Sequence, residues 1–283
     1  MAFTAYNAAD NTQSLRDTWD AELGLNPTEE TKIADWVTRP VGAQKFGNTL
    51  YLRKIPTVTS NTYTSHASNG RLENLTPSTT ALERVSASAV MRYGLVSLDR
   101  AILNRTVEDG ALRAGFRKQL MASIKEGIDS ALFTLAASAS ATEAGAAIDD
   151  AMVRSALGQL ATNSKGKFTE DSAKLLVVDP TQLKNVWNIP AIKEYQIRGT
   201  IGAAVNAKLN AYGLVWRESG LVYDNAGVTY NPLLLKDGWA LAFNEEPHIL
   251  DVQFDGITEN FIAVEEHGVC EWFDSSVVSM NIS

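Results

Sequence analysis

The chain of 283 residues can hold one large domain or two smaller ones, and its 45% hydrophobic and 20% charged content is ordinary for a folded protein. With 25 Lys and Arg against 33 Asp and Glu, the net charge is −8. That balance argues against a protein that binds nucleic acid by neutralising phosphates, although not against one that encloses it. The single cysteine, Cys270, excludes an internal disulfide and fits a reducing compartment. There is no secretory signal and no apolar run near the ~20 residues that span a bilayer, so we expect no membrane contact.

Residues 1–47 have the pattern of an N-terminal arm rather than of a domain. Two short helical patches are separated at Asn26-Pro27 and closed at Arg39-Pro40. The apolar positions of the first patch are Leu15, Trp19 and Leu23. Trp19 and Trp36 are too large to remain exposed without cost. We therefore expect both to dock on another part of the fold or on a neighbouring molecule.

Two strands with a polar segment between them predict an unusually long hairpin over residues 48–92. GNTLYLRKIPTVT predicts the first strand, and ALERVSASAVMRYGLVSLD over 81–99 predicts the second. The intervening VTSNTYTSHASNGRLENLTPSTT is rich in Ser, Thr and Asn, and Asn69-Gly70 suits the hairpin tip. A polar hairpin cannot fold on a core of its own, so it must lie on something else.

The stretch TVEDGALRAGFRKQLMASIKEGIDSALFTLAA over 106–137 predicts one long helix, with a capping box at Thr106 and Asp109. At 1.5 Å per residue it would span ~45 Å, nearly the width of a compact chain of this length. Its apolar seam winds around the helix and comprises Leu112, Phe116, Leu120, Ile124, Ile128, Leu132 and Leu135. A winding seam favours ends that pack on different partners, either two layers of one domain or two subunits. An ordinary core helix with a wide apolar face fits equally well.

The remainder predicts an α+β protein without regular βαβ repeats. A helix over 148–160 is followed by AKLLVVDP, a buried strand, and by a helix broken at Pro190. Strand-like segments then continue to the end of the chain, including HILDVQF, ENFIAVEEHGVCEWF and SSVVSMNIS.

Catalytic chemistry is not visible in the sequence. Glu265, Glu266 and His267 are consecutive, and in a strand they would alternate between faces and fail to converge on a metal. GTIGAA at Gly199 lacks the third glycine of a dinucleotide fingerprint, and Cys270 has no nucleophile motif around it. We therefore predict no catalytic, metal or cofactor-binding residues and no enzymatic activity.

Three soft patterns, together with the order of the elements, resemble the HK97-like major capsid proteins of tailed bacteriophages over nearly the whole chain. GNTLYLRKIPTVT resembles the segment that leads into the family's extended loop. AKLNAYGLVWRESGLV resembles the segment in which a glycine precedes an apolar strand, and VEEHGVCEWFDSSVVSMNI resembles the closing strand.

The resemblance implies an α+β HK97-like fold with five parts. These are an N-terminal arm over 1–47, an extended hairpin loop over 48–92, a peripheral domain with its spine helix over 93–145, an axial domain over 146–262, and closing strands of the peripheral domain over 263–283. The loop would lie across a neighbouring subunit. Its inter-subunit residues would be Tyr63, His66, Asn69, Gly70, Arg71 and Leu72.

The function that the resemblance implies is that of a major capsid protein of the virion, assembled in the host cytoplasm. It would self-assemble through hexamers and pentamers into an icosahedral shell enclosing double-stranded DNA, without sequence-specific binding. The arm has no room for a scaffolding domain of about a hundred residues, so a separate scaffolding protein is expected. A portal and a cement protein are further candidate partners. The alternative is an encapsulin-type cellular compartment that encloses cargo proteins.

Overall fold

The computed structural model describes residues 32–54, 83–99, 109–164, 173–190, 192, 211–254 and 258–283. The helices are α1 (Asp109–Thr134), α2 (Asp150–Ser164) and α3 (Leu183–Trp187). The strands are β1 (Gln44–Phe46), β2 (Thr49–Lys54), β3 (Glu83–Ser88), β4 (Val90–Asp99), β5 (Thr142–Gly145), β6 (Lys174–Val178), β7 (Leu214–Glu218), β8 (Asp224–Asn225), β9 (Val228–Leu235), β10 (Trp239–Phe254), β11 (Thr258–Glu271) and β12 (Val277–Ile282). Within this part of the chain, no helix is both long and apolar enough to cross a membrane.

The long helix α1 lies along a three-stranded antiparallel sheet of order β10-β11-β4. At one end, Arg113 Nη2 is 2.8 Å from Glu259 Oε2, and at the other Ser138 Oγ donates to Glu271 Oε1 at 2.5 Å. Helix α1 and the 3-10 turn Leu135–Ser138 that follows it rise ~40 Å between these contacts, at about 1.5 Å per residue in the helix and about 2.0 Å in the turn. Strand β11 covers ~40 Å between the same contacts at roughly 3.3 Å per residue. The two elements therefore run side by side and in the same direction over their whole lengths.

Two glycines allow this helix to approach the sheet closely. A Cβ on Gly94 would stand 2.9 Å from Leu120 Cδ2, and one on Gly127 would stand 2.7 Å from Arg92 Nη1. Both distances are shorter than side chains tolerate without displacing a neighbour. The absent side chains thus let Leu120 and Arg92 fill the space between α1 and β4.

The second sheet has the order β5-β12-β9-β6-β7, with β8 pairing to β9. All five residues of its strand β6 are buried. Leu175 and Val177 belong to the core shared with α1 and the first sheet, whereas Leu176 and Val178 belong to a core shared with α2 and α3. The second sheet is therefore covered on both faces by its own chain.

A third, small sheet of order β1-β2-β3 forms the base of the predicted hairpin. Leu50, Leu52 and Ala87 pack against Ala240, Ala242 and Cys270 of the first sheet. The approach is close at Gly268, where an added Cβ would stand 2.9 Å from Leu50 Cδ1 and 3.2 Å from the Ser88 carbonyl oxygen. The hairpin base is thereby fixed on β10 and β11, while residues 55–82 lie outside the described part.

The predicted single strand over 81–99 is two strands in two different sheets. The break is at Ala89, whose N–H donates to the Asn48 carbonyl at 2.8 Å. Alternation of side chains continues on both sides of the break, so periodicity alone could not place it. The predicted helix over 106–137 is α1 followed by the 3-10 turn Leu135–Ser138. Its predicted capping box at Thr106 lies outside the described residues.

The pairing of the closing strands crosses the limits expected for the domains. Strand β11 pairs with β4 in the first sheet, which packs on α1. Strand β12 pairs with β9 and β5 of the second sheet. In turn β10, expected within the axial block over 146–262, pairs with β11 beside α1. Each strand joins the sheet whose core accepts its apolar face: Val278 and Met280 of β12 enter the core under α2.

Candidate assembly surfaces

One face of the first sheet is apolar and exposed. Alternate residues of β4, namely Met91, Tyr93 and Leu95, are 59%, 62% and 39% exposed. Strand register places Val264 opposite Tyr93, and Ile262 opposite both Leu95 and Leu250. Leu250 is 45% exposed. We call the surface formed by Met91, Tyr93, Leu95, Leu250, Ile262 and Val264 the outer face.

The opposite face of the same strands is covered by α1. The inward residues of β4 are Arg92, Gly94 and Val96, and their partners on β11 are Glu265, Ala263 and Phe261. All three of these β11 residues are fully buried. Because successive strand residues point to opposite sides, the sheet is covered by α1 on one side and exposes apolar side chains on the other. A contiguous apolar surface of this kind is typical of an interaction site.

The hairpin base is joined to β11 by an ion pair beside the outer face. Lys45 Nζ donates to Glu266 Oε1 at 2.5 Å, and Asn244 Nδ2 donates to Glu266 Oε2 at 2.6 Å. The hydrogen bond from Lys45 is the main reason that the pKa of Glu266 lies below its usual 4.5; burial opposes the shift. At neutral pH the contact is therefore ionic and holds the small sheet in place.

The end of the N-terminal arm is attached to α1 by a buried carboxylate. Asp129 accepts hydrogen bonds from the backbone N–H groups of Lys32 at 2.5 Å and Ala34 at 2.9 Å, and it is 1% exposed. Burial raises the pKa of Asp129, and the backbone donors oppose that rise. Further along, Leu241 N–H donates to the Thr38 carbonyl at 3.0 Å. The segment from Lys32 to Thr38 is thus part of the folded body.

Trp36, one of the two predicted arm-docking residues, is half-buried against the core around α1. The Arg217 guanidinium lies 5.7 Å from its ring centroid and also pairs with Asp35 at 2.6 Å. Trp19, the other predicted docking residue, lies outside the described residues.

Sequence analysis missed a buried polar pair under α1. His267 Nδ1 lies 2.9 Å from Glu265 Oε1, and both side chains are almost fully buried. Glu266 points to the other side, toward Lys45, so the predicted alternation of the three residues is confirmed. No group of three or more possible metal ligands occurs among the described residues. The pattern Glu-x-His could have indicated the pair, because residues two apart in a strand share a face.

The predicted seam of α1 lies in one core. Leu120, Ile124, Ile128 and Leu132 are buried there, with Phe116 and Leu135 half-buried against them. That core also contains Phe261 of the first sheet and Leu234 of the second. Of the alternatives left open, the described contacts fit two layers of one chain. The side chain of Leu112 is outside what the structure describes, as are the predicted loop residues Tyr63, His66, Asn69, Gly70, Arg71 and Leu72.

Comparison with known proteins shows similarity at the level of structure. Neither a protein-family model nor a curated protein matches the sequence. The cyanophage Pam1 capsid chain is similar with a TM-score of 0.65 at 12% identity, covering 100% of this chain and 99% of that one. A Mycobacterium phage Che8 chain has a TM-score of 0.61 at 16% identity, with 93% and 95% covered. The capsid of an empty GTA particle has a TM-score of 0.63 at 13% identity, with 100% of both chains covered. The chain therefore has the mixed helix-and-sheet fold of phage capsid proteins.

Proposed function

We propose that this chain is a major capsid protein that self-assembles, through hexamers and pentamers, into an icosahedral shell around double-stranded DNA. The observation that carries the proposal is the fold match to capsid chains over the full length of both chains. The outer face supports it, because a self-contained globule would not be expected to expose Met91, Leu95 and Leu250 together. Its location would be the virion capsid, after assembly in the host cytoplasm.

In the proposed shell, the extended loop of one subunit lies on the outer face of its neighbour. The base of the loop is held on β10 and β11 by close packing at Gly268 and by the Lys45–Glu266 pair. The loop sequence between β2 and β3 is polar and has little apolar surface with which to form its own core. Helix α1 would serve as the spine of the peripheral domain. A scaffolding protein, a portal and a cement protein complete the proposed set of partners.

Enclosure of DNA is proposed to be confinement rather than binding. The net charge of −8 is repulsive toward phosphates. On α1, Arg113 is paired with Glu259, and Arg117 lies 5.3 Å from the Phe261 ring centroid, so both interact with the sheet. We expect purified subunits to show no duplex binding at physiological salt. Submicromolar, salt-sensitive binding would contradict this part of the proposal.

The proposal includes no catalytic activity, and the encapsulin alternative is not favoured. The similar structures described above are phage or particle capsids. Nothing in the described geometry points to a cargo-binding site. The proposed role is therefore association of identical copies, in which heterologous contacts close into rings.

Electron microscopy of two versions of the chain tests the proposal. One version is intact, and the other has residues 60–80 replaced by a short Gly-Ser turn. We expect the intact chain to form rings and closed shells, with co-expressed scaffold where required. The shortened chain should remain a folded subunit with near-native circular dichroism and form none. Normal shells from the shortened chain would contradict the role of the loop, and an intact chain that stays monomeric would contradict the shell.

A further inference from the structure

A groove lies between α1, the docked end of the arm, and the irregular part of β10. Its volume is about 250 Å³, and its apolar walls include Ala34, Met121, Phe243 and Pro247. Strand β10 is irregular at this point, with register shifts against β11 between Phe243 and His248. The volume is below the ~300–1,000 Å³ typical of sites for drug-sized ligands, and suits one large side chain.

The rim of the groove carries more positive than negative charge. Arg39 holds its guanidinium 5.7 Å from the Phe243 ring centroid and donates from Nη2 to the Ala34 carbonyl at 3.3 Å. Lys125 is exposed and makes no ion pair with any described residue, and Glu246 is the one carboxylate among the described residues that line the groove. The groove therefore fits an apolar side chain with acidic neighbours.

The chain itself supplies such a segment in the residues that precede Lys32. Residues 1–31 contain Arg16 as their one basic residue, and their acidic residues are Asp10, Asp17, Asp20, Glu22, Glu29 and Glu30. Within them, RDTWDAE places Trp19 between Asp17 and Asp20. Residues three and four apart on a helix are neighbours, so the predicted helical patch would join Trp19 to Leu15 and Leu23 on one face.

The arm reaches the described fold at the wall of this groove. Lys32 and Ala34 are bonded to Asp129, and Ala34 itself lines the groove. On α1, Lys125 precedes Asp129 by ~6 Å along the helix axis. The residues between Trp19 and Lys32 could span up to ~45 Å when extended. The chain between Trp19 and Lys32 is therefore long enough for Trp19 to turn back and reach the groove.

We propose that the segment around Trp19 of the same chain docks in this groove. The indole packs between Met121 and Phe243, and Asp17 and Asp20 lie near Arg39 and Lys125. Burial of a Trp side chain removes about 150–250 Å² from water, which makes it a strong anchor for an otherwise polar arm. The docking concerns the single subunit and does not depend on the proposed shell.

Disulfide trapping tests the contact. In a Cys270→Ala background that keeps Trp19, the pair Thr18→Cys and Met121→Cys is oxidised in dilute, monomeric full-length protein. The control pairs Thr18→Cys with Ser123→Cys, because Ser123 is exposed and points ~200° around the helix from Met121. We expect an intrachain disulfide, identified by peptide mass spectrometry, to form at least about ten-fold faster with position 121. Equal rates at the two positions would overturn the proposal, and a disulfide joining two chains would assign the groove to a second copy.

Charge reversal tests the rim independently. Lys125→Glu should slow formation of the 18–121 disulfide by several fold, and addition of Asp20→Lys to the same chain should restore the rate. Restoration requires that the two side chains be neighbours, so a merely altered fold would not produce it. If Lys125→Glu leaves the rate unchanged, the electrostatic part of the docking is wrong.

Discussion

The two large sheets of the molecule differ in how completely their own chain covers them. In the second sheet, Leu175 and Leu176 are neighbours on β6 that face different cores, and both are fully buried. In the first sheet, Val96 packs against the core around α1, while Leu95 beside it is 39% exposed on the outer face. The two sheets share the core around α1, so they fold together. The first sheet nevertheless leaves its outer face exposed.

This difference separates residues that hold the subunit together from residues that are available for association. A substitution in the shared core should affect folding. A substitution on the outer face should leave folding nearly unchanged and affect assembly.

Ile128→Asp should destroy the core that joins the two sheets. Ile128 is 3% exposed, and burying an ionised carboxylate among apolar side chains there costs several kcal/mol. We expect insoluble or unfolded protein by circular dichroism. Lys125→Asp, one turn away and exposed, is the matched control and should fold normally. Equal thermal stability of the two variants would show that Ile128 does not lie in the core that joins the two sheets.

Gly268→Ala should loosen the hairpin base by a smaller amount. The new methyl group would stand 2.9 Å from Leu50 Cδ1 and 3.0 Å from Ala87 Cβ, and overpacking typically costs about 1–3 kcal/mol. The control is Gly158→Ala in α2, where an added Cβ meets nothing within 4 Å. Removing that helical glycine should stabilise by up to ~1 kcal/mol. The melting temperature should therefore fall for Gly268→Ala and rise for Gly158→Ala.

Loss of the Lys45–Glu266 pair should have a smaller and pH-dependent effect. Lys45→Met should cost about 1 kcal/mol or less at pH 7, since the lysine is partly exposed. The pKa of Glu266 is lowered in the folded protein, so the pair stabilises above the usual value of 4.5 and its contribution is lost as pH falls through the folded pKa. Unfolding by urea should show the largest difference between the two proteins at pH 7, and the difference should shrink as the pH falls below 4.5 and through the folded pKa of Glu266.

Met91→Asp combined with Leu95→Asp should change the subunit least. Both side chains are exposed, so each change should alter the free energy of unfolding by no more than about 0.5 kcal/mol. Assembly should nevertheless fail, because a loss of ~1–2 kcal/mol recurs at every subunit contact. The conservative pair Met91→Leu and Leu95→Met should assemble normally in light scattering. Formation of particles by the acidic variant would show that the outer face is not needed for assembly.

Much of the local structure was predictable from the sequence because its signals are local. The buried strand in AKLLVVDP is confirmed as β6, and the long helix is confirmed over Asp109–Thr134. The strand predicted in GNTLYLRKIPTVT is confirmed as β2, in which Leu50 and Leu52 are both buried.

Pairing between distant strands was not predictable, because periodicity shows that a strand has a buried face but does not identify its partner. The sequence therefore did not indicate that β12 pairs with β9 and β5. The outer face was missed for a related reason: Met91, Tyr93 and Leu95 alternate with Arg92, Gly94 and Val96, so both faces of β4 contain apolar residues. Only the position of α1 shows which face is covered.

Cysteine labelling at position 91 tests whether a neighbouring copy covers the outer face of the first sheet. Met91→Cys is labelled with a maleimide in free subunits and in assembled particles. Native Cys270 is an internal control, because it is buried and burial raises its thiol pKa to about 11. We predict rapid labelling of position 91 in subunits, strong protection in particles, and slow labelling of Cys270 in both until the protein is denatured. Equal reactivity of position 91 in subunits and particles would contradict the account.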